Sequence, residues 1–241
     1  MPLPKIFRNL VVVLLLVSSA PCQPDARAQT SGPDVIPFST LLKIFANQPD
    51  CVVSYLGSAD LPSLGAKMSV RIRMARKQGN SRQELYPFEN DTRVKHKADK
   101  DYKIVIINRP GQPSTALNPQ TRTYTELPSG FNGMPFDIDS LVKTMDQSDE
   151  IRFERAGVET IDGYQATRIQ MRSKGEKNGG YIYFANDPKN LLLRMETSGS
   201  AEKVSLRMSD LSLEVPDALF EIPSNYKRLP FDSFMSVLRR K

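Results

Sequence analysis

The sequence predicts a mainly β fold with antiparallel strands and few helices, on three observations. Met68, Val70, Ile72 and Met74 alternate with Ser69, Arg71 and Arg73, the pattern of a strand with one wet face. Asp162-Gly163 separates two strand-like runs and Asn178-Gly179 opens another; both dipeptides suit the positive backbone angles of tight hairpins. No alternation of strand and helix runs through the chain, which excludes a parallel, doubly wound sheet.

The elements follow in order. Residues 1–28 read as a signal peptide. Lys5 and Arg8 precede the apolar run Leu10 to Val17, and Ala26-Arg27-Ala28 gives a small-x-small cleavage signal. The run is about half of the roughly 20 residues that span a bilayer, so it is no permanent anchor. Export to the periplasm is expected. A lipoprotein places small residues directly before its modified Cys, whereas Pro21 precedes Cys22; lipid attachment at Cys22, anchoring the chain to the envelope, is the alternative route. Residues 29–37 form a flexible N-terminal segment, and 38–241 a single domain. Phe38, Leu41, Leu42 and Phe45 share one helical face before Pro49-Asp50 stops the helix.

Further strands are expected at 102–107, 122–127, 151–159, 164–172, 181–185, 191–197 and 204–213. Asp139 caps a helix over 139–147 that gathers Leu141, Val142 and Met145. Phe231, Phe234, Met235 and Leu238 stand at helical spacing near the end, followed by Arg239-Arg240-Lys241. A basic helix C-terminus suits the helix dipole; transient docking on a membrane surface is the sharper reading.

Composition narrows the chemistry. With 39 % hydrophobic and 25 % charged residues among 241, the chain has enough apolar material for a core and is not disordered by composition. One His and two Cys exclude metal sites built on two imidazoles or on several thiolates, so no metal and no cofactor are expected. His96 lies in the charged run Arg93–Asp101, with nothing apolar around it to make a dry catalytic pocket. No nucleophile elbow, phosphate loop or dinucleotide fingerprint is present, and the expectation is a binding protein, not an enzyme. A leader holding Lys5, Arg8, Arg27 and Asp25 takes the net charge from +6 to +4 when removed, too little to indicate nucleic acid. Cys51, beside Val52 and Val53, reads as a small buried hydrophobe.

Two late segments resemble a known family. Gly180-Tyr181-Ile182-Tyr183-Phe184-Ala185-Asn186-Asp187, followed by Leu191-Leu192-Leu193-Arg194-Met195-Glu196, resembles the late hairpin of the lipoprotein-carrier superfamily, to which LolA- and LolB-like proteins belong. The run Val215-Pro216-Asp217-Ala218-Leu219-Phe220-Glu221-Ile222-Pro223-Ser224-Asn225-Tyr226 resembles that group's closing pattern. Ser81-Arg82-Gln83-Glu84, Ile107-Asn108-Arg109-Pro110 and Asn118-Pro119 before Tyr124–Leu127 are similar to its outer-membrane lipoprotein-sorting-like relatives. The resemblance spans most of residues 38–229. It implies an incomplete antiparallel β-barrel, a half-barrel, with helices covering its concave side and an apolar cavity for acyl chains. The implied function is a periplasmic, non-catalytic carrier, monomeric, holding the acyl chain of a lipid or lipoprotein. The alternative is an envelope interaction or stress-sensing module that binds a protein partner on the same fold.

Alternation then assigns a cavity wall: Met68, Val70, Ile72, Met74, Ile104, Ile106, Phe153, Ile169, Met171, Leu193, Met195, Leu206 and Met208. Met is unbranched and polarisable, which suits a wall that fits mobile chains; ordinary gap-filling in a large sheet is the alternative. Leu141, Val142 and Met145 are the expected lid, with Gly130 and Gly133 as hinges or as turn glycines of a surface loop. A bulge reverses the inward assignment beyond its position.

Overall fold

The computed structural model describes residues 35–61, 66–86, 103–128, 143, 146–147, 151–174, 179–198 and 203–239. The leader, Cys22, His96, Gly130, Gly133, Asn178 and the expected lid residues Leu141, Val142 and Met145 lie outside them. In chain order the elements are β1 (Val35–Ile36), α1 (Phe38–Ala46), β2 (Cys51–Leu61), β3 (Ala66–Lys77), β4 (Asn80–Tyr86), β5 (Ile104–Asn108), β6 (Thr115–Asn118), β7 (Thr123–Glu126), β8 (Ile151–Ile161), β9 (Tyr164–Ser173), β10 (Gly179–Ala185), β11 (Leu192–Ser198), β12 (Lys203–Ser212), β13 (Lys227–Arg228) and α2 (Phe231–Arg239). The strands form one sheet in the order β1-β8-β9-β10-β11-β12-β2-β3-β4-β5-β6-β7-β13. The sheet is open: β1 and β13 end it without pairing to each other. A mainly β fold is what the sequence leads one to expect, and an unclosed sheet is what the resemblance implies.

The described residues pack as two compact units, those within 35–49, 58–67 and 143–208, and those within 50–57, 68–128 and 209–239. In the first unit, Val35–Ile36 leaves the polar N-terminal segment and pairs with β8, Ile36 opposite Phe153. Helix α1 buries Phe38, Leu41 and Phe45, the face expected from 3.6-residue spacing. Phe38 stacks on Phe153 at 5.8 Å and Phe45 meets Phe184 edge-on at 4.8 Å. Pro37 supplies no side-chain cap. Instead the Ser39 N–H donates to Asp146 Oδ1 at 3.1 Å, so a distant carboxylate satisfies a donor at the helix start.

Register fixes which side chains face α1. Arg155, Ile169, Ile182, Met195 and Leu206 form one transverse row, and Ile36, Phe153, Met171 and Gly180 the next. A Cβ at Gly180 would collide with the Glu196 carbonyl oxygen and with Met171 Cε, so glycine is required there by close approach. Gly179 also serves close packing and has no positive φ: a Cβ there would strike the Met171 carbonyl. The Asp162-Gly163 turn is as expected, with φ of 50° and 86°. The opposite face of this sheet is polar, and its arginines are paired: Arg168 with Glu159, Arg172 with Glu154, Arg194 with Glu196 and Arg207 with Asp162.

In the second unit the sheet is covered on both faces. Val105, Ile107 and Leu117 pack with Phe220, and Val215, Leu219, Ile222 and Tyr226 lie against them. On the other face Phe234 of α2 packs on Ala116 and Leu127, with Ile106, Phe231, Met235 and Leu238 around it. The closing run 215–226 is thus a strap. Arg82 donates to the Leu219 carbonyl at 3.0 Å, and Lys77 to the Val215 carbonyl at 3.1 Å.

Candidate ligand cavity

A cavity of about 540 Å³ lies in the first unit between α1 and the sheet face it covers. Its apolar walls are Ile36 from β1, Ile44 from α1, Ile169 from β9, and Phe184 and Ala185 from β10. Thr40, Asn47, Thr167, Asn186 and Asn190 add neutral polar groups, and Lys43, Arg155 and Lys189 add three cations.

Local structure places each of these groups. Lys43 stands in the last turn of α1, where the helix dipole favours a cation. Arg155 enters from β8 at a bulge: it pairs with Ile169, yet Val158 pairs with Thr167, so one extra residue is inserted. Gly157 takes φ of 101° there, an angle that L side chains rarely adopt. Arg168 holds the bulge by donating to the Ala156 carbonyl from Nε at 3.1 Å and Nη2 at 2.8 Å. The β10–β11 turn closes one end. Its Asn190 Nδ2 donates to the Asn47 carbonyl at 3.3 Å, and Thr167 Oγ1 donates to Asn186 Oδ1 at 2.8 Å.

Among the described residues the lining contains no carboxylate, imidazole or thiol, and no cluster of three metal-ligating side chains occurs. Beyond this cavity, the described residues hold a buried polar network in the second unit. Arg82 Nε, Tyr86 Oη and Lys103 Nζ donate to Glu84 at 2.7, 2.7 and 3.0 Å. Burial, the largest single influence, raises the Glu84 carboxyl. Hydrogen bonds from Tyr86 and Lys103 and the charges of Arg82 and Lys103 together outweigh it and hold the group at about 2. Each partner is satisfied, which marks a structural network.

The residues expected from the sequence are distributed as follows. Ile169 lines the cavity. Phe153 lies under Phe38. Leu193, Met195 and Leu206 are buried in the first unit, and Met171 and Met208 are half-buried. In the second unit Ile72 and Met74 are buried, and Val70, Ile104 and Ile106 are half-buried, with Ile106 against the α2 cluster. Met68 lies in β3. Sequence reasoning did not single out Lys43, Arg155 or Lys189. Lys43 carries a faint signal, a charge inside the apolar stretch of α1. Arg155 follows strand phase, but nothing in the chain announces its meeting with the helix.

The fold and cavity define a class: an open, mainly β sheet holding a mixed apolar and cationic pocket under an N-terminal helix. The chain matches no family model and no curated protein. Solved structures similar to it include lipoprotein LppX of Mycobacterium tuberculosis, 14 % identical, covering 73 % of this chain and 92 % of that one at a TM-score of 0.39. A LolA superfamily protein of Nitrosomonas europaea is 12 % identical, with 73 % and 91 % covered and a TM-score of 0.31. An outer membrane lipoprotein-sorting protein domain from Vibrio parahaemolyticus is 9 % identical, with 80 % and 92 % covered and a TM-score of 0.28. No helix among the described residues is long and apolar enough to cross a membrane.

Proposed function

We propose that this chain is an exported, non-catalytic binding protein of the periplasm that holds the acyl chain of a lipid or lipidated protein. The observation that carries the reading is the cavity of about 540 Å³, floored by Ile36, Ile44, Ile169 and Phe184, a size common to small-molecule sites. Each buried methylene contributes roughly 0.8 kcal/mol, so about eight contribute roughly 6 kcal/mol before ordering costs. Among the described residues the lining holds no carboxylate, imidazole or thiol, which suits holding a ligand unchanged. The leader and the lipoprotein-carrier resemblance give export and carriage as its setting. Membrane-surface contact, if it accompanies loading, is transient, and the protein acts as a monomer.

The test uses Ile44→Trp, which fills the cavity from the half-buried side of α1 and adds an emission reporter to a chain with no Trp. A fluorescent fatty-acid probe should bind the unmodified protein and bind the variant about tenfold more weakly, with thermal unfolding unchanged. Native mass spectrometry after gentle purification should show acyl adducts. An empty protein that also ignores the probe refutes the reading.

A further inference from the structure

The three cations at the cavity set it apart from the rest of the same sheet. On the opposite face, four arginines each meet a carboxylate. Lys43, Arg155 and Lys189 come from three separate elements, converge on one cavity, and form no ion pair with a carboxylate among the described residues. Among the described residues no acidic side chain lines the space. The elements carrying them are built structures. The bulge behind Arg155 is pinned by Arg168, and the turn carrying Lys189 is tied to the end of α1 through Asn190. All three are exposed, so water screens their mutual repulsion, and an anion seated among them would be attracted by all three at once. Ile44, Ile169 and Phe184 meanwhile give the floor an apolar surface, where a hydrated ion gains no contact.

We infer that the cavity selects amphiphiles with an anionic head, a carboxylate or phosphate, seated among Lys43, Arg155 and Lys189 with its acyl chain on the floor. This inference rests on the acyl-binding reading above and adds the head-group class. Charge-assisted hydrogen bonds from lysine and arginine to such oxygens are the contacts expected.

The experiment is competition against the fluorescent fatty-acid probe, at a pH where carboxylates are ionised. The competitors are palmitate, palmitoyl lysophosphatidate, neutral monopalmitoylglycerol and inorganic phosphate. Palmitate and lysophosphatidate should bind about tenfold tighter than the neutral glyceride. Salt raised from about 50 mM to about 0.5 M should weaken the anionic ligands alone. Inorganic phosphate should not displace the probe, and displacement by it as effective as by lysophosphatidate overturns the amphiphile assignment. The Lys43→Gln/Lys189→Gln variant should bring anionic ligands toward the neutral level, weakening them about tenfold and the glyceride far less. The Lys43→Glu/Lys189→Glu variant should reverse the preference and gain affinity for dodecylamine, a gain that a misfolded chain cannot give. Equal binding of neutral and anionic chains, with both variants silent, overturns the head-group inference and leaves acyl binding intact. Failure of every acyl chain to bind overturns both.

Discussion

Replacing Glu84 by glutamine tests the electrostatics of the second unit with a sign and a size. Glu84 is 3 % exposed and receives Arg82, Tyr86 and Lys103. A carboxyl held at about 2 against an ordinary 4.5 stabilises the folded chain by about 3 kcal/mol when ionised in both states. The Glu84→Gln variant keeps the side-chain shape but offers no charge to Arg82 and Lys103, so a loss of about 2 to 3 kcal/mol is expected at neutral pH. The folded-state titration lies below the unfolded one. The contribution is therefore complete above about pH 4.5 and is lost as pH falls toward 2. Urea unfolding followed by far-UV circular dichroism, needed because the chain has no Trp, should show the gap between the two proteins narrowing steadily in acid. A gap below about 0.5 kcal/mol at neutral pH, or one that stays constant down to about pH 3, refutes the argument.

Two further predictions concern buried groups. Phe45→Ala removes the edge contact with Phe184, a cavity wall; it should cost about 3 kcal/mol in urea unfolding and weaken fatty-acid probe binding in the same variant. Cys51 is buried and free, and desolvation, only partly offset by Arg76, pushes its thiol up to about 11. In a chain carrying Cys22→Ser, a thiol reagent should label Cys51 only as fast as the protein opens, with free-cysteine rates restored in denaturant.

Much of the fold was legible because side-chain period reports backbone period. The alternation through Met68–Met74 marked β3, the 38/41/45 spacing marked α1, and Asp162-Gly163 marked a hairpin. Other strands escaped for physical reasons. β4, Asn-Ser-Arg-Gln-Glu-Leu-Tyr, buries Glu84 in a polar network with Arg82 and Tyr86 on one face and Ser81 beside Asn108 on the other, so neither face shows the apolar alternation that a reader looks for. β6 has only four residues, every one buried, and is too short for a period to show. In β5 four successive apolar positions conceal the choice of face. Val105 and Ile107 are completely buried against the strap, whereas Ile104 and Ile106 are half-buried.

The sequence by itself determined the class: antiparallel strands, a short amphipathic helix near the start, another near the end, and a scarcity of histidine and thiol. These are local properties, set by turn chemistry, by the two-residue and 3.6-residue periods, and by composition. Only the tertiary structure decided where space remains. Phe153, read as cavity wall, lies beneath Phe38 of α1, while Ile169 in the neighbouring row borders open volume. The bulge after Arg155 changes the phase of β8, and the pairing of Asn190 with Asn47 brings a distant turn to the helix end. A cavity is what imperfect packing leaves between elements far apart in the chain, and its three cations meet only because those elements do.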